Sequence, residues 1–233
     1  MNCRAVLLIA VVSAWACNGA PGRPGADSAV IPPNRVTDFD VLYASNCAGC
    51  HGENGAGGLA SSLADPLYLA IADDATIRRV TAEGVPGTAM PAFAQSAGGL
   101  LTAEQVDVVV KGIRARWAKP KTLRDVALPS YAAQAPGDAK RGANAYGVFC
   151  ASCHGPAGRG GPRAASIVDR AYLTMVSDQS LRTTVIAGRP DMGAPDWRSN
   201  VPGQPMSPED ISDVVAWLAE QRPAPMLAAG GIK

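Results

Sequence analysis

The sequence predicts an all-α protein made of two tandem helical units, residues 37–118 and 138–222. Three observations predict it. The pattern Cys-x-x-Cys-His occurs twice, at Cys47–His51 and at Cys150–His154. The residues around the two copies repeat one another, first 103 and then 104 positions apart. Each unit closes on a helix with an apolar stripe and a cap at its start.

The chemistry follows from the motif. Two thiols three positions apart can each add to one vinyl group along the edge of a haem, and the adjacent histidine then offers a ring nitrogen to the iron. Cys47, Cys50, Cys150 and Cys153 are therefore candidate covalent anchors, with His51 and His154 as proximal ligands, for two c-type haems. A disulfide framework would not need a histidine after each second cysteine. A thioredoxin-like Cys-x-x-Cys would sit in a βαβ pattern, which is not seen. Four thiols and two imidazoles could instead bind zinc, the strongest competing reading. The chain holds two histidines in all, so both are consumed by the motifs and bis-histidine ligation is excluded by counting.

The elements can be justified in order. Arg4 precedes a short apolar run, Ala5 to Ala16, which ends in Ala14-Trp15-Ala16, a small-residue cleavage site. Residues 1–16 thus read as an export signal, too short to span a bilayer. The next residue, Cys17, also fits a lipid-anchored protein; the alternative is a soluble exported chain with an unpaired Cys17. Residues 17–36, rich in Gly, Pro, Ala and Ser, read as a flexible tether. A first helix runs from Asp38 to Cys47 with Phe39, Leu42 and Tyr43 on one face. A loop with Gly52, Gly55, Gly57 and Gly58 follows, then two weaker helices over about 64–72 and 74–83. After the loop Gly84–Phe93 comes an amphipathic helix, Thr102 to Trp117. Thr102 caps it, with Gln105 completing a capping box, and Val106, Val109, Val110, Ile113 and Trp117 form its stripe.

Residues 119–137 read as a linker interrupted by Pro120, Pro129 and Pro136. The second unit then repeats the first. Asp138 to Cys150 is its entry helix, with Tyr146 four residues before the motif as Tyr43 is in the first. Gly155, Gly158, Gly160 and Gly161 reproduce the loop. Asp65 meets Asp169, Tyr68 meets Tyr172, Arg78 meets Arg182, Gly84 meets Gly188, Pro86 meets Pro190 and Pro91 meets Pro195. The last helix starts at Ser207-Pro208, a cap followed by proline at the first helical position, and carries Ile211, Val214, Val215 and Leu218. Residues 223–233 read as a tail.

With these motifs in view, each unit resembles a class I cytochrome c domain, and the two together resemble a dihaem cytochrome of the cytochrome c4 type. The resemblance covers about 38–118 and 138–222. It implies a fold in which the first and last helices cross beside the haem, and a methionine sulfur as distal ligand. It also implies export, because such haem attachment takes place outside the bacterial cytoplasm. Met90, in Met90-Pro91-Ala92-Phe93, matches the ligand loop of the family for the first haem. A thioether stabilises Fe(II) and raises the potential.

The second unit departs from the pattern. Ala194 stands where Met90 does and cannot ligate. Met192 lies 38 residues after His154, close to the 39 that separate Met90 from His51. Met206 directly precedes the last helix and aligns with Leu101. Met192 and Met206 therefore remain alternatives for the second haem, with an open position as a third. Arg78 and Arg182 are candidate partners of haem propionates, and Trp197, aligned with Phe93, is expected to wall a pocket. Tyr43, Trp117, Tyr146 and Trp217 are expected at the helix crossings.

Composition supports a carrier. Hydrophobic residues make up 47% and charged residues 18%, enough for cores that a haem would complete. Loss of residues 1–16 removes Arg4 and no acid, leaving acidic and basic residues equal in number, which gives no footprint for nucleic acid. No histidine is spare for a distal position or for acid–base chemistry. The expected function is electron transfer in the periplasm or at the outer face of the cytoplasmic membrane. Resemblance of the second unit to respiratory subunits places it between a quinol-oxidising complex and a terminal reductase or oxidase. The competing expectation is a peroxidase-like enzyme or haem-based gas sensor with an open second haem.

Overall fold

The computed structural model describes residues 31–223. The expected leader, Cys17, most of the tether and all but the first residue of the tail lie outside the described residues. The chain divides into a unit of residues 1–36, of which a single 3-10 turn at Pro33–Arg35 is described, and a unit of residues 37–233. Among the described residues there are helices and isolated β-bridges but no strands. No helix among them is long and apolar enough to cross a membrane.

The first repeat contains α1 (Phe39–Asn46), α2 (Ala48–His51), α3 (Pro66–Ile71), α4 (Asp74–Glu83) and α5 (Ala103–Trp117). The second contains α6 (Ala139–Phe149), α7 (Ala151–His154), α8 (Arg170–Met175), α9 (Asp178–Ala187) and α10 (Pro208–Glu220). Most start on a side chain that accepts from the first turn's orphan amides. Asp38 accepts from the Val41 N–H at 2.9 Å, Asp65 from Leu67 and Tyr68, Asp138 from Arg141 and Asp169 from Tyr172. Thr102 and Gln105 form the expected capping box, and Ser207 with Asp210 forms a second.

In each repeat the last helix crosses the first, and a glycine lets it approach. Gly142 on α6 lies under the backbone of Asp213 on α10, and Gly112 on α5 lies under the Phe39 ring on α1. Aromatic rings lock both crossings. Trp117 meets Tyr43 edge-on at 5.1 Å, and Trp217 stacks on Tyr146 at 4.3 Å. At the second crossing Asp213 also accepts from the Asp138 N–H and from Arg141, the latter at 2.7 and 2.9 Å.

The segment between the repeats is more structured than a plain linker. Pro120–Leu123 forms a 3-10 turn, and Leu123, Val126 and Leu128 pack on the second core. That core also takes a residue from the first repeat: Leu67 of α3 clusters with Leu173, Leu181 and Ile186.

Candidate haem-binding sites

The two Cys-x-x-Cys-His motifs fold alike. In each, the first cysteine caps a one-turn helix whose last residue is the histidine. The turn cannot continue, because the next residue is Gly52 or Gly155, with φ near +80°. A Cβ there would lie 2.5 or 2.6 Å from a carbonyl oxygen, that of Gly57 or Gly160. The tyrosine four residues before each motif donates its hydroxyl to that glycine's carbonyl, Tyr43 to Gly52 at 2.8 Å and Tyr146 to Gly155. The same tyrosines hold the helix crossings, so each motif turn is tied to the crossing of its repeat's first and last helices.

The residues present fit a covalent haem. All four motif thiols are free. Burial, then the neighbouring cysteine, pushes the Cys47 thiol up to about 11 and that of Cys150 up to about 12, so both are held as neutral S–H groups. His51 Nδ1 lies 2.8 Å from the Ser61 carbonyl, and His154 Nδ1 lies 2.9 Å from that of Ala165. A carbonyl only accepts, so Nδ1 carries the proton and Nε2 keeps its lone pair for a metal. Burial also lowers the His51 pKa against the opposing pull of the Ser61 carbonyl, which favours the neutral ring that ligation needs. Among the described residues no three His, Cys, Asp or Glu side chains converge on a metal-sized site, so the zinc reading lacks its donor set.

The distal candidates are placed differently. Met90 is half-buried on its loop, and its carbonyl accepts from the Val85 N–H at 3.0 Å. In the second repeat the Ala194 carbonyl accepts from Arg189 at the same distance, so Ala194 is the spatial counterpart of Met90. Met206 is 2% exposed within the second core, with the Asn200 amide 3.7 Å from its sulfur. Its N–H donates to Trp197, as that of Leu101 donates to Phe93, so it fills the core position of Leu101. Met192 is 70% exposed and ends a 3-10 turn, Pro190–Met192.

The two arginines expected at propionates have protein partners. Arg78 pairs with Asp107 on α5. Arg182 is 3% exposed and donates to the carbonyls of Ser130 and Tyr131 and to the Ser212 hydroxyl. Its placement does not match a propionate role, because the donors a propionate would need are spent on the segment between the repeats. Ser212 is the repeat counterpart of Asp107, so both arginines reach the same place on the last helix. Sequence reasoning missed Ser61 and Ala165, the orienting carbonyls, since a backbone acceptor leaves no residue signature.

The family model described as Cytochrome C oxidase, cbb3-type, subunit III matches the chain twice, over residues 34–111 and 137–218. No curated protein matches the sequence. Among solved structures, the Kuenenia stuttgartiensis reducing HAO-like protein complex aligns at 19% identity with a TM-score of 0.44, covering 83% of this chain and 100% of that one. Thiosulfate dehydrogenase from Marichromatium purpuratum, as isolated, aligns at 22% identity with a TM-score of 0.32, covering 93% of this chain and 52% of that one. Each family match spans one Cys-x-x-Cys-His turn, the first helix of that repeat and at least part of its last helix. The chain is a c-type cytochrome of two tandem class I domains, and it belongs to the cbb3-type cytochrome c oxidase subunit III family.

Proposed function

We propose that this electron-transfer cytochrome binds two haem c groups, one per repeat. It would work outside the cytoplasm in a respiratory chain, between a quinol-oxidising complex and a terminal reductase or oxidase. The observation that carries this reading is the duplicated proximal turn: two free thiols and one imidazole with Nδ1 committed to a carbonyl, built the same way twice. Haem c supplies an iron that moves between Fe(III) and Fe(II) without making or breaking a bond in a substrate. The chain's own residues do the rest. Cys47, Cys50, Cys150 and Cys153 anchor the two groups. His51 and His154 present Nε2 in a fixed direction. Met90 gives the first iron a thioether.

For the second iron we favour Met192. The burial of Met206 and the amide on its sulfur count against that residue, and Met192 stands on the loop that carries Met90 in the first repeat. The leader would export the chain, and a lipid on Cys17 would keep it at the outer face of the cytoplasmic membrane. A second reading, peroxidase-like enzyme or gas sensor, draws on Ala194 in the place of Met90.

A redox titration of the purified haem-loaded protein, with haem-stained gel and low-temperature spectra, tests these readings. Two thioether-linked haems, both six-coordinate and unreactive to carbon monoxide when reduced, are expected. One haem per chain, or none, refutes the two-haem reading. Ready uptake of carbon monoxide at one haem favours the second reading.

A further inference from the structure

The two repeats differ in a telling way within one short loop. Gly84, Pro86 and Pro91 keep their counterparts Gly188, Pro190 and Pro195. Between them Val85 becomes Arg189, Gly87 becomes Asp191, Thr88 becomes Met192 and Met90 becomes Ala194. Where the second loop loses its methionine at the ligand position, it gains a pair of opposite charges and a methionine two residues earlier.

The new charges act together. The Arg189 guanidinium grips the Asp191 carboxylate with Nε at 2.9 Å and a terminal nitrogen at 2.7 Å. The same terminal nitrogen donates to the carbonyl of Gly58, in the first repeat, at 2.8 Å. The Asp191 carboxylate lies so close to Gly57 that a Cβ there would be 2.8 Å from its Oδ2. Both members are largely sheltered, with side chains 17% and 22% exposed. The turn is also closed on itself, since Arg189 and Ala194 exchange both backbone hydrogen bonds, at 3.0 and 2.9 Å. On the other side of the contact, Gly57 donates to the His51 carbonyl at 3.0 Å, and Ala60 donates to that of Cys50 at 2.9 Å. The second repeat's Met192 turn is thus clamped to the loop that carries the first repeat's proximal ligand.

We infer that Arg189 is a positioning residue that holds the Met192 turn against the first repeat, so that ligation of the second haem depends on the contact between repeats. This rests on the reading of Met192 as the second distal ligand. A turn that bears an exposed methionine has little packing of its own to fix it. The bidentate charged grip and the cross-repeat hydrogen bond supply the missing restraint. The first haem has no such dependence, because its loop carries Val85 and Gly87 in place of the clamp.

The test uses haem-loaded full-length protein and three variants, Arg189→Gln, Arg189→Lys and Met192→Ala. The readouts are the weak red absorption of thioether-ligated ferric haem, the two midpoint potentials, and carbon monoxide binding to the reduced protein. Met192→Ala is expected to remove the thioether signal of one haem. Arg189→Gln is expected to shift the second haem's bound-to-released ratio about tenfold toward release, lowering its potential and opening it to carbon monoxide, with the first haem unchanged. Arg189→Lys, which keeps the charge but not the bidentate fork, is expected to fall between. If Met192→Ala changes neither haem, the ligand reading fails. If Met192→Ala removes the signal while Arg189→Gln leaves it intact, or if Arg189→Gln disturbs both haems equally, the clamp does not position the ligand and the inference is overturned.

Discussion

Two glycines on α6 make opposite predictions from one substitution. Gly142→Ala and Gly147→Ala both add a methyl to the same helix, and both gain about 0.5–1 kcal/mol of helix propensity. At Gly147, which is exposed, an added Cβ meets nothing within 4 Å, so that gain stands. At Gly142 the Cβ would fall 2.0 Å from the Asp213 carbonyl oxygen and 2.6 Å from its carbon. Carbon-to-oxygen contacts settle at about 3.3 Å or more, so α10 must retreat by about 1.3 Å. The obstacle is backbone on both helices, and no rotamer change relieves it. Overpacking of this kind costs about 1–3 kcal/mol, and stretching the Asp213 bonds to Arg141 and Asp138 adds about 1 kcal/mol. The net loss for Gly142→Ala is about 1–3.5 kcal/mol, a fall in Tm of about 2–14 °C for a chain of this size. Thermal unfolding of the haem-loaded protein in one redox state measures both variants. If Gly142→Ala is as stable as the parent, or Gly147→Ala loses as much, the crossing is not limited by backbone approach and the reasoning is refuted.

Three further outcomes are expected. Met90→Ala removes the thioether absorption of one haem only and lowers that haem's potential, read by spectroelectrochemistry; loss of both signals would contradict separate distal sites. Arg182→Leu strips the Ser130 carbonyl of its donors and costs about 2–3 kcal/mol in denaturant unfolding, and Arg182→Lys recovers only part, because one ammonium cannot span the acceptors a guanidinium reaches. Asp213 gives a pH signature. Burial alone would raise its pKa, but Arg141 and the Asp138 N–H outweigh it and hold the carboxyl below its usual range. A depressed acid stabilises the fold above its unfolded pKa and loses that contribution as pH falls, here from about pH 4 downward. Asp213→Asn should therefore flatten the acid limb of stability against pH; an unchanged slope would mean that the pair contributes nothing.

Local signals made most of the helices legible. Caps such as Asp38, Thr102 and Ser207 mark starts within the chain itself, and an offset that drifts only from 103 to 105 transfers each element of one repeat to the other. What escaped the sequence is long-range. Arg114 donates to the carbonyls of Leu69 and Ala72 and pairs with Asp74, and Arg222 meets Leu173, Val176 and Asp178, the counterparts of those three. The acceptors repeat at the offset but the arginines do not, because Arg114 lies within α5 whereas Arg222 lies just past the end of α10. Periodicity also finds the apolar stripe of a helix without finding Gly112 or Gly142, whose role appears only when the partner helix is in place. Arg189 and Gly58 are 131 positions apart, and nothing local in either residue marks the other. At the site, the motif named the thiols and imidazoles, whereas the carbonyls that orient the imidazoles belong to loop geometry.

Leu67 belongs by descent to the first copy and by location to the interior of the second. Duplicated genes usually keep the freedom to lose, shuffle or lend out one copy. Here a crossover or truncation in the stretch between the copies would strip one half of an interior side chain and turn a greasy spot on the other toward water. A chimera that borrows the second copy must therefore borrow α3 of the first with it.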